Sequence, residues 1–309
     1  MDLRKWHCFC MAADLGSLSR AAQVLELAQS ALSRQITLLE AECGGPLFHR
    51  TGRGVVLTEL GRMVQPRARS LLEQSARLAD DIRESAGVPS GVVKLGVLPS
   101  TGRVLVSTVF EHLRGRFPGI RLHVTEAFTG QLDEHRNAGR IDVSVVNRYG
   151  PLERLEEPLG TFDNYLVGPA GDAVTSQETI DFKELSGLPL VLPGLPSGLR
   201  VRLEQNGRKA GISLNIVLEV EALSVMKEVV ARSKIYTVLP YYAVAQEIKD
   251  GTLSIARIVR PVMPRVMCLG VTSARPLSLA GKEVVAAIRA TSQDLIAQGI
   301  WAGSCGEPS

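Results

Sequence analysis

The sequence predicts an α/β protein with an all-helical N-terminal head, one long linker helix and a two-lobed, Rossmann-like α/β remainder. Three observations predict it. Residues 18–37, SLSRAAQVLELAQSALSRQI, read as two short amphipathic helices meeting at a tight corner. Residues 58–86 carry one long helical pattern. After residue 91, β-rich runs alternate with helical ones, the signature of a parallel sheet with crossover helices, and the alternation restarts after about residue 163. At 309 residues, 45% of them hydrophobic, the chain has room for more than one domain. Mean hydropathy of +0.11 is that of a globular protein, and no apolar run approaches membrane-spanning length.

The first helix covers residues 2–14, where Leu3, Trp6, Phe9, Cys10 and Ala13 recur at helical spacing. In the second, Leu18, Ala21, Ala22 and Leu25 make the apolar stripe, and Ser17 or Ser19 takes the free N–H groups at its start. In the third, Ala28, Ala31, Leu32, Gln35, Ile36 and Leu39 turn inward, which leaves Gln29, Ser30, Ser33 and Arg34 facing out. Short or forked hydrogen-bonders on an outward helix suit a DNA major groove. Gly44, Gly45 and Pro46 end that helix, and Gly52 and Gly54 place a hairpin tip between Leu47-Phe48 and Val55-Val56-Leu57. A basic hairpin directly after a helix-turn-helix is a wing, with Arg50 and Arg53 placed for phosphate or the minor groove. Between residues 28 and 69, Arg34, Arg50, Arg53, Arg62, Arg67 and Arg69 outnumber Glu40, Glu42 and Glu59. That local excess, more than the net charge of +3, marks the phosphate-facing surface.

Thr58 is positioned to cap the long helix, whose stripe is Leu60, Val64, Leu71, Leu72, Ala76, Leu78, Ala79 and Ile82, with a kink expected at Pro66. At 1.5 Å per residue it spans roughly 40 Å. A helix of that length with an apolar seam reads as a dimerisation helix. Residues 87–91 form a hinge. Beyond it come VVKLGVL (92–98), a helix from about 103 to 115, IRLHVTEA, a helix near 130–138 and IDVSVV. The second series is PLVLP (189–193), a helix near 199–210, NIVLEVE, a helix at 222–232, IYTVLP and a short helix at 241–248. RVMCLGVTS and a helix near 279–297 close it. The expected division is a head at 1–58, a linker helix at 59–87 and a final domain at 91–303. Lobe I of that domain takes 91–162 and 267–303, and lobe II takes 163–266. Two such lobes leave a cleft at the carboxyl ends of their strands, where ligands bind.

The cysteines are Cys8, Cys10, Cys43, Cys268 and Cys305: an odd number, with no CxxC spacing and no N-terminal signal peptide. Free thiols in a reducing cytoplasm are expected, and a redox pair of Cys268 with Cys305 is the less favoured reading. There is no GxSxG, GxGxxG, Walker loop or HExxH stretch. His7, His49, His112, His123 and His135 lack metal-ligand spacing. No catalytic residue, metal or cofactor is therefore expected.

Residues 15–61, LGSLSRAAQVLELAQSALSRQITLLEAECGGPLFHRTGRGVVLTELG, resemble the LysR-type transcriptional regulators, and the layout does so over nearly the whole chain. The resemblance implies a winged helix-turn-helix, the linker helix and an effector domain similar to periplasmic binding proteins. It also implies homotetramers, assembled as dimers of dimers, that hold promoter duplex DNA and rearrange when a small effector enters the cleft. Carried across by position, Gln29, Ser30, Ser33 and Arg34 take the base-reading face and Arg53 the wing. Where the family usually has Ser-Gln-Pro, this chain has Ala28-Gln29-Ser30, which removes a rigid first-turn residue and adds a hydroxyl. In the effector domain, Ser100 and Thr101 in the turn ahead of a helix, and Thr129 at the start of the next, stand where family effectors, commonly carboxylates, are contacted. Asn147 stands where some relatives that respond to aromatic acids carry an arginine, and a neutral amide there argues against a strongly charged dicarboxylate. Ser197 and Gly198, in the turn from Pro193 to Arg200, are expected to face the cleft. The implied function is a non-enzymatic regulator responsive to an anionic or aromatic acid. The alternative is a cytoplasmic solute-binding protein or enzyme built on the two lobes, with the N-terminal helices serving oligomerisation. That alternative leaves the basic wing unexplained.

Overall fold

The computed structural model describes residues 2–52, 54–84 and 87–301. The chain divides into two compact units, Met1–Ala86 and Gly87–Ser309. The first contains α1 (Leu3–Leu15), α2 (Leu18–Val24), α3 (Gln29–Cys43), the antiparallel hairpin β1 (Phe48–Thr51) and β2 (Gly54–Leu57), and α4 (Glu59–Glu84). Asp2 caps α1 by accepting from the Arg4 amide, and Ser17 caps α2 by accepting from that of Arg20. The core forms around Phe9, Leu32, Leu39 and Leu47, with the Phe9 and Phe48 rings 5.3 Å apart.

Three local devices set the hairpin. The Glu40 carboxylate accepts from the Leu47 and Phe48 amides at 2.8 and 3.2 Å, which fixes the entry to β1. Val55 N–H donates to the Gly16 carbonyl at 2.9 Å, and a Cβ on Gly54 would stand 2.2 Å from the same oxygen. Only glycine permits that approach, so the hairpin is clamped to the corner between α1 and α2. The Thr58 hydroxyl donates to Pro46 O at 2.7 Å and accepts from the Gly61 amide at 2.9 Å, capping α4. Helix α4 continues across Pro66 for 26 residues. Its early positions Leu60, Val64, Ala68 and Leu72 join the core, whereas Leu78 and Ile82 are 61% and 64% exposed.

The stripe expected on α3 needs one correction. Leu32, Ile36 and Leu39 are buried, but Ala28 and Ala31 are exposed. Ala28 is the residue before the first turn, with extended backbone, so helical periodicity does not yet govern it, and no side chain caps the helix there.

The second unit has two sheets. One has the order β4-β3-β5-β13-β6, from β3 (Gly91–Val97), β4 (Ile120–Glu126), β5 (Val143–Arg148), β6 (Glu156–Phe162) and β13 (Arg265–Val271). Helices α5 (Pro99–Arg116), α6 (Thr129–Asn137) and α10 (Leu279–Ala297) accompany it. The other has the order β11-β7-β12-β8, from β7 (Tyr165–Pro169), β8 (Thr179–Asp181), β11 (Thr237–Leu239) and β12 (Leu253–Val259). The parallel pair β9 (Pro189–Leu192) and β10 (Asn215–Glu219) continues this sheet, because Val191 N–H donates to Tyr236 O at 2.8 Å. Its helices are α7 (Gly198–Ala210), α8 (Leu223–Arg232) and α9 (Tyr241–Lys249). The chain crosses between the two sheets twice, between Phe162 and Tyr165 and again between Val259 and Arg265.

Two expectations change. The sheets are mixed rather than purely parallel, since β13 runs antiparallel to both β5 and β6. Strand β6 escapes a pattern reading because Pro158 and Gly160 interrupt its alternation, and the pairing with β13 shifts register beside them. Helix α5 begins at Pro99, not near 103: Pro99 occupies its first turn, where a missing N–H costs nothing. Cys268 is fully buried, and burial pushes its thiol pKa up to about 12; Cys305, its less favoured redox partner, lies outside the described residues. No helix among the described residues is long and apolar enough to cross a membrane.

Candidate functional site

On the first unit, α3 exposes Gln29, Ser30 and Arg34 to solvent across its first two turns. Ser33 is half-buried, and its hydroxyl accepts a hydrogen bond from Arg50 Nη2 at 3.4 Å, which ties the hairpin to the same helix face. Arg53, expected at the hairpin tip, lies outside the described residues. Arg62 and Arg69 have other engagements: Arg62 donates to Leu57 O at 2.9 Å, and Arg69 pairs with Asp14. The surface therefore offers an amide, two hydroxyls and two guanidiniums on one helix–hairpin face, a set that suits base edges and phosphates.

The second unit holds a cleft of about 420 Å³ between its two sheets. Ser100 from α5, Thr129 from α6, Asn147 from β5, and Ser197 and Gly198 at the start of α7 all border it. Thr101 does not. Its side chain is buried and its hydroxyl donates to the Leu98 carbonyl at 3.1 Å, because a residue in the first turn of α5 points back onto the preceding strand end. Helices α5, α6, α7 and α8 all begin at or beside the cleft, and none has a side-chain cap. Their first N–H groups and positive dipole ends favour an anion. Apolar walls come from Leu98, Phe128, Leu199, Met226 and Leu239.

The cleft also contains groups that no sequence pattern marks. Arg265, the first residue of β13, is buried, with its guanidinium carbon 5.6 Å from the centroid of the Tyr149 ring. It donates to Asn164 Oδ1, while its Nε has no acceptor. Asn147 Oδ1 and the Tyr149 hydroxyl are likewise buried without partners. Burial pushes the Tyr242 phenol pKa up, against opposing pulls from Arg265, Asn147 and Ser100. Unpaired buried polar atoms converging on one cavity are the signature of a ligand site.

Comparison with known proteins places this arrangement. Residues 3–62 match the family model described as bacterial regulatory helix-turn-helix protein, lysR family, and residues 86–293 match that of the LysR substrate binding domain. The chain belongs to the LysR family. It is a LysR-type DNA-binding transcriptional regulator with an effector-binding domain. Over 290 residues it is 29% identical to the nitrogen assimilation regulatory protein nac of Klebsiella aerogenes, covering 92% of this chain and 94% of the relative. It is also 29% identical, over 95% of each chain, to a probable hydrogen peroxide-inducible genes activator of Streptomyces viridosporus. Among solved structures, full-length CbnR complexed with its target DNA matches with a TM-score of 0.73 at 22% identity, covering 94% of this chain and all of that one. An OxyR mutant of Corynebacterium glutamicum matches with a TM-score of 0.58 at 20% identity, over 96% of both chains. These likenesses show the LysR-type fold.

Beside the cleft of this LysR-family chain lies an ion-pair network that the sequence did not announce. Arg148, at the end of β5, clamps Asp133 of α6 through two hydrogen bonds of 2.7 and 2.8 Å and donates to Glu156 at 2.9 Å. Arg136 joins it from α6, donating to Glu156 at 2.9 Å and to Ser144 Oγ at 3.2 Å. Asp133, Glu153 and Glu156 are close enough to hold a cation, but the two guanidiniums already occupy them. Burial raises the Glu156 pKa, yet hydrogen bonds from Arg148, the Glu153 amide and Arg136 outweigh it and bring the value down to about 2. The network locks α6, which carries Thr129, against β5, which carries Asn147.

Proposed function

We propose that this LysR-type regulator reads promoter duplex DNA with Gln29, Ser30, Ser33 and Arg34, with Arg50 and Arg53 on the flanking phosphates. A small organic acid in the cleft modulates that binding by population shift. The observation that carries the reading is the cleft itself: uncapped helix N-termini and unpaired polar atoms around an apolar cavity. Occupancy that draws its two walls together changes the shape of the effector unit, and through subunit packing the spacing of the DNA-reading heads. The exposed Leu78 and Ile82 of α4 supply an apolar seam for a second copy of the chain, in keeping with a dimer of dimers. The test is an electrophoretic mobility assay on duplexes from the chain's own promoter region at low salt, with and without small carboxylates. Binding that a carboxylate alters is the expected result. Absence of binding to any such duplex overturns the reading, and unchanged binding by Arg34→Ala combined with Arg53→Ala overturns the contact assignment.

A further inference from the structure

We infer that Arg265 is the charge anchor of the cleft: the carboxylate of a small organic acid pairs with its guanidinium at the point where the two chain crossovers meet. This rests on the effector reading above and names the group that holds the ligand's charge.

Three observations converge on Arg265. It is only 4% exposed, borders the cleft, and among the described residues makes no ion pair. The other two buried arginines of this unit among the described residues are compensated: Arg136 by Asp133, Glu153 and Glu156, and Arg200 by Glu204 and Glu219. A guanidinium held out of water without a countercharge is unfavourable until something supplies one. The atoms around it are also short of partners. Its own Nε lacks an acceptor, and Asn147 Oδ1 and the Tyr149 hydroxyl are buried and unpaired. Arg265, beside the Tyr149 phenol and the Asn147 amide, recognises a carboxylate and its adjoining polar atom.

The walls set the rest of the ligand. Leu98, Phe128, Met226 and Leu239 line a cavity of about 420 Å³, so an aromatic or short aliphatic body fills it and an inorganic anion does not. The position of Arg265 gives the charge a consequence. Asn164, in the first crossover, accepts from Arg265 and donates to Met263 O at 2.6 Å, and both of those partners lie at the second crossover. A carboxylate on Arg265 therefore acts where the two lobes pivot, not only on their walls.

The test titrates full-length wild type, Arg265→Gln and Arg265→Lys by calorimetry. The probes are benzoate, phenylacetate and hexanoate, each paired with its neutral amide, and circular dichroism checks each fold. Wild type is expected to prefer acids over amides. Arg265→Gln should weaken the acids about tenfold or more while leaving the amides unchanged. Arg265→Lys, which keeps the charge but loses the fork, should fall between. Acid affinity unchanged in Arg265→Gln overturns the inference and leaves the effector reading standing. Equal loss of acids and amides makes Arg265 a structural residue and also overturns it. If Arg265→Gln does not fold, the Lys variant decides, and unchanged acid affinity there is the overturning result. A wild type that binds none of the acids removes the inference and the effector reading together.

Discussion

The two functional surfaces of this regulator treat polar groups in opposite ways. On α3, Gln29, Ser30 and Arg34, the proposed DNA contacts, are exposed, where a hydrogen-bonding group stays solvated at no cost. In the cleft, Asn147, Tyr149 and Arg265 carry buried atoms without partners, a cost that the proposed ligand would remove. Beside them the Arg136–Arg148 network is buried and fully compensated. A reader needs placement. A sensor needs a deficit, and a rigid neighbour that keeps the deficit in shape.

The largest effect should come from breaking that rigid neighbour. A Cβ on Gly270 would lie 2.1 Å from Arg136 Nη1, so Gly270→Val must displace the guanidinium and leave Glu156 with Arg148 as its remaining arginine partner. Loss of one partner of a buried pair costs about 3–5 kcal/mol when the other charge is left alone, and Arg148 on Glu156 makes that the upper bound here. Urea unfolding should show that loss in the effector unit, while DNA affinity of the folded protein stays near wild type. An unchanged urea midpoint would mean the network is not what rigidifies the cleft.

Acid should erode the same network more gently. Glu156 has its pKa lowered from 4.5 to about 2, so its contribution is complete above about 4.5 and is lost as pH falls toward 2. Stability of the effector unit should drop across that window. Glu156→Gln should be less stable at neutral pH and show a flatter acid limb. An acid limb as steep as that of wild type would place the titration elsewhere.

The same contrast decides what was legible in the sequence. The proposed reading head is local: Gln29 to Arg34 lie within two turns of one helix, so periodicity alone separates their outward face from Leu32, Ile36 and Leu39. The cleft is assembled from helix starts, a strand end and a crossover far apart in the chain. Ser100, Thr129, Asn147, Ser197 and Gly198 were reachable because each sits at an element boundary. Arg265 opens a strand that is otherwise apolar, and its lack of a carboxylate partner exists only once β13 lies beside β5 and β6. Thr101 erred the other way, because placing the start of α5 four residues late hid its role in the first turn.

On the reading surface, Arg34→Ala should cost roughly 1–3 kcal/mol of specific DNA binding, about the worth of one good base contact. Binding of benzoate to the cleft should not change. Loss of both would mean that the α3 surface and the cleft are not separable in the way their chemistry implies.

The smallest effect sharpens the comparison within that surface. Arg34 rises from the exposed face of α3, whereas Arg50 sits on the hairpin and leans on Ser33 across 3.4 Å, a long and weak hydrogen bond. If Arg34 reads a base and Arg50 holds a phosphate, their alanine variants should fail differently. Arg50→Ala should weaken all duplexes about equally and reduce the salt dependence by about one counterion. Arg34→Ala should chiefly relax the discrimination between the promoter duplex and scrambled sequence. Binding isotherms on both duplexes at several salt concentrations measure the two slopes directly. If Arg50→Ala changes sequence preference instead, the hairpin reads bases, and the hydroxyl of Ser33, freed from its arginine, becomes part of the same code.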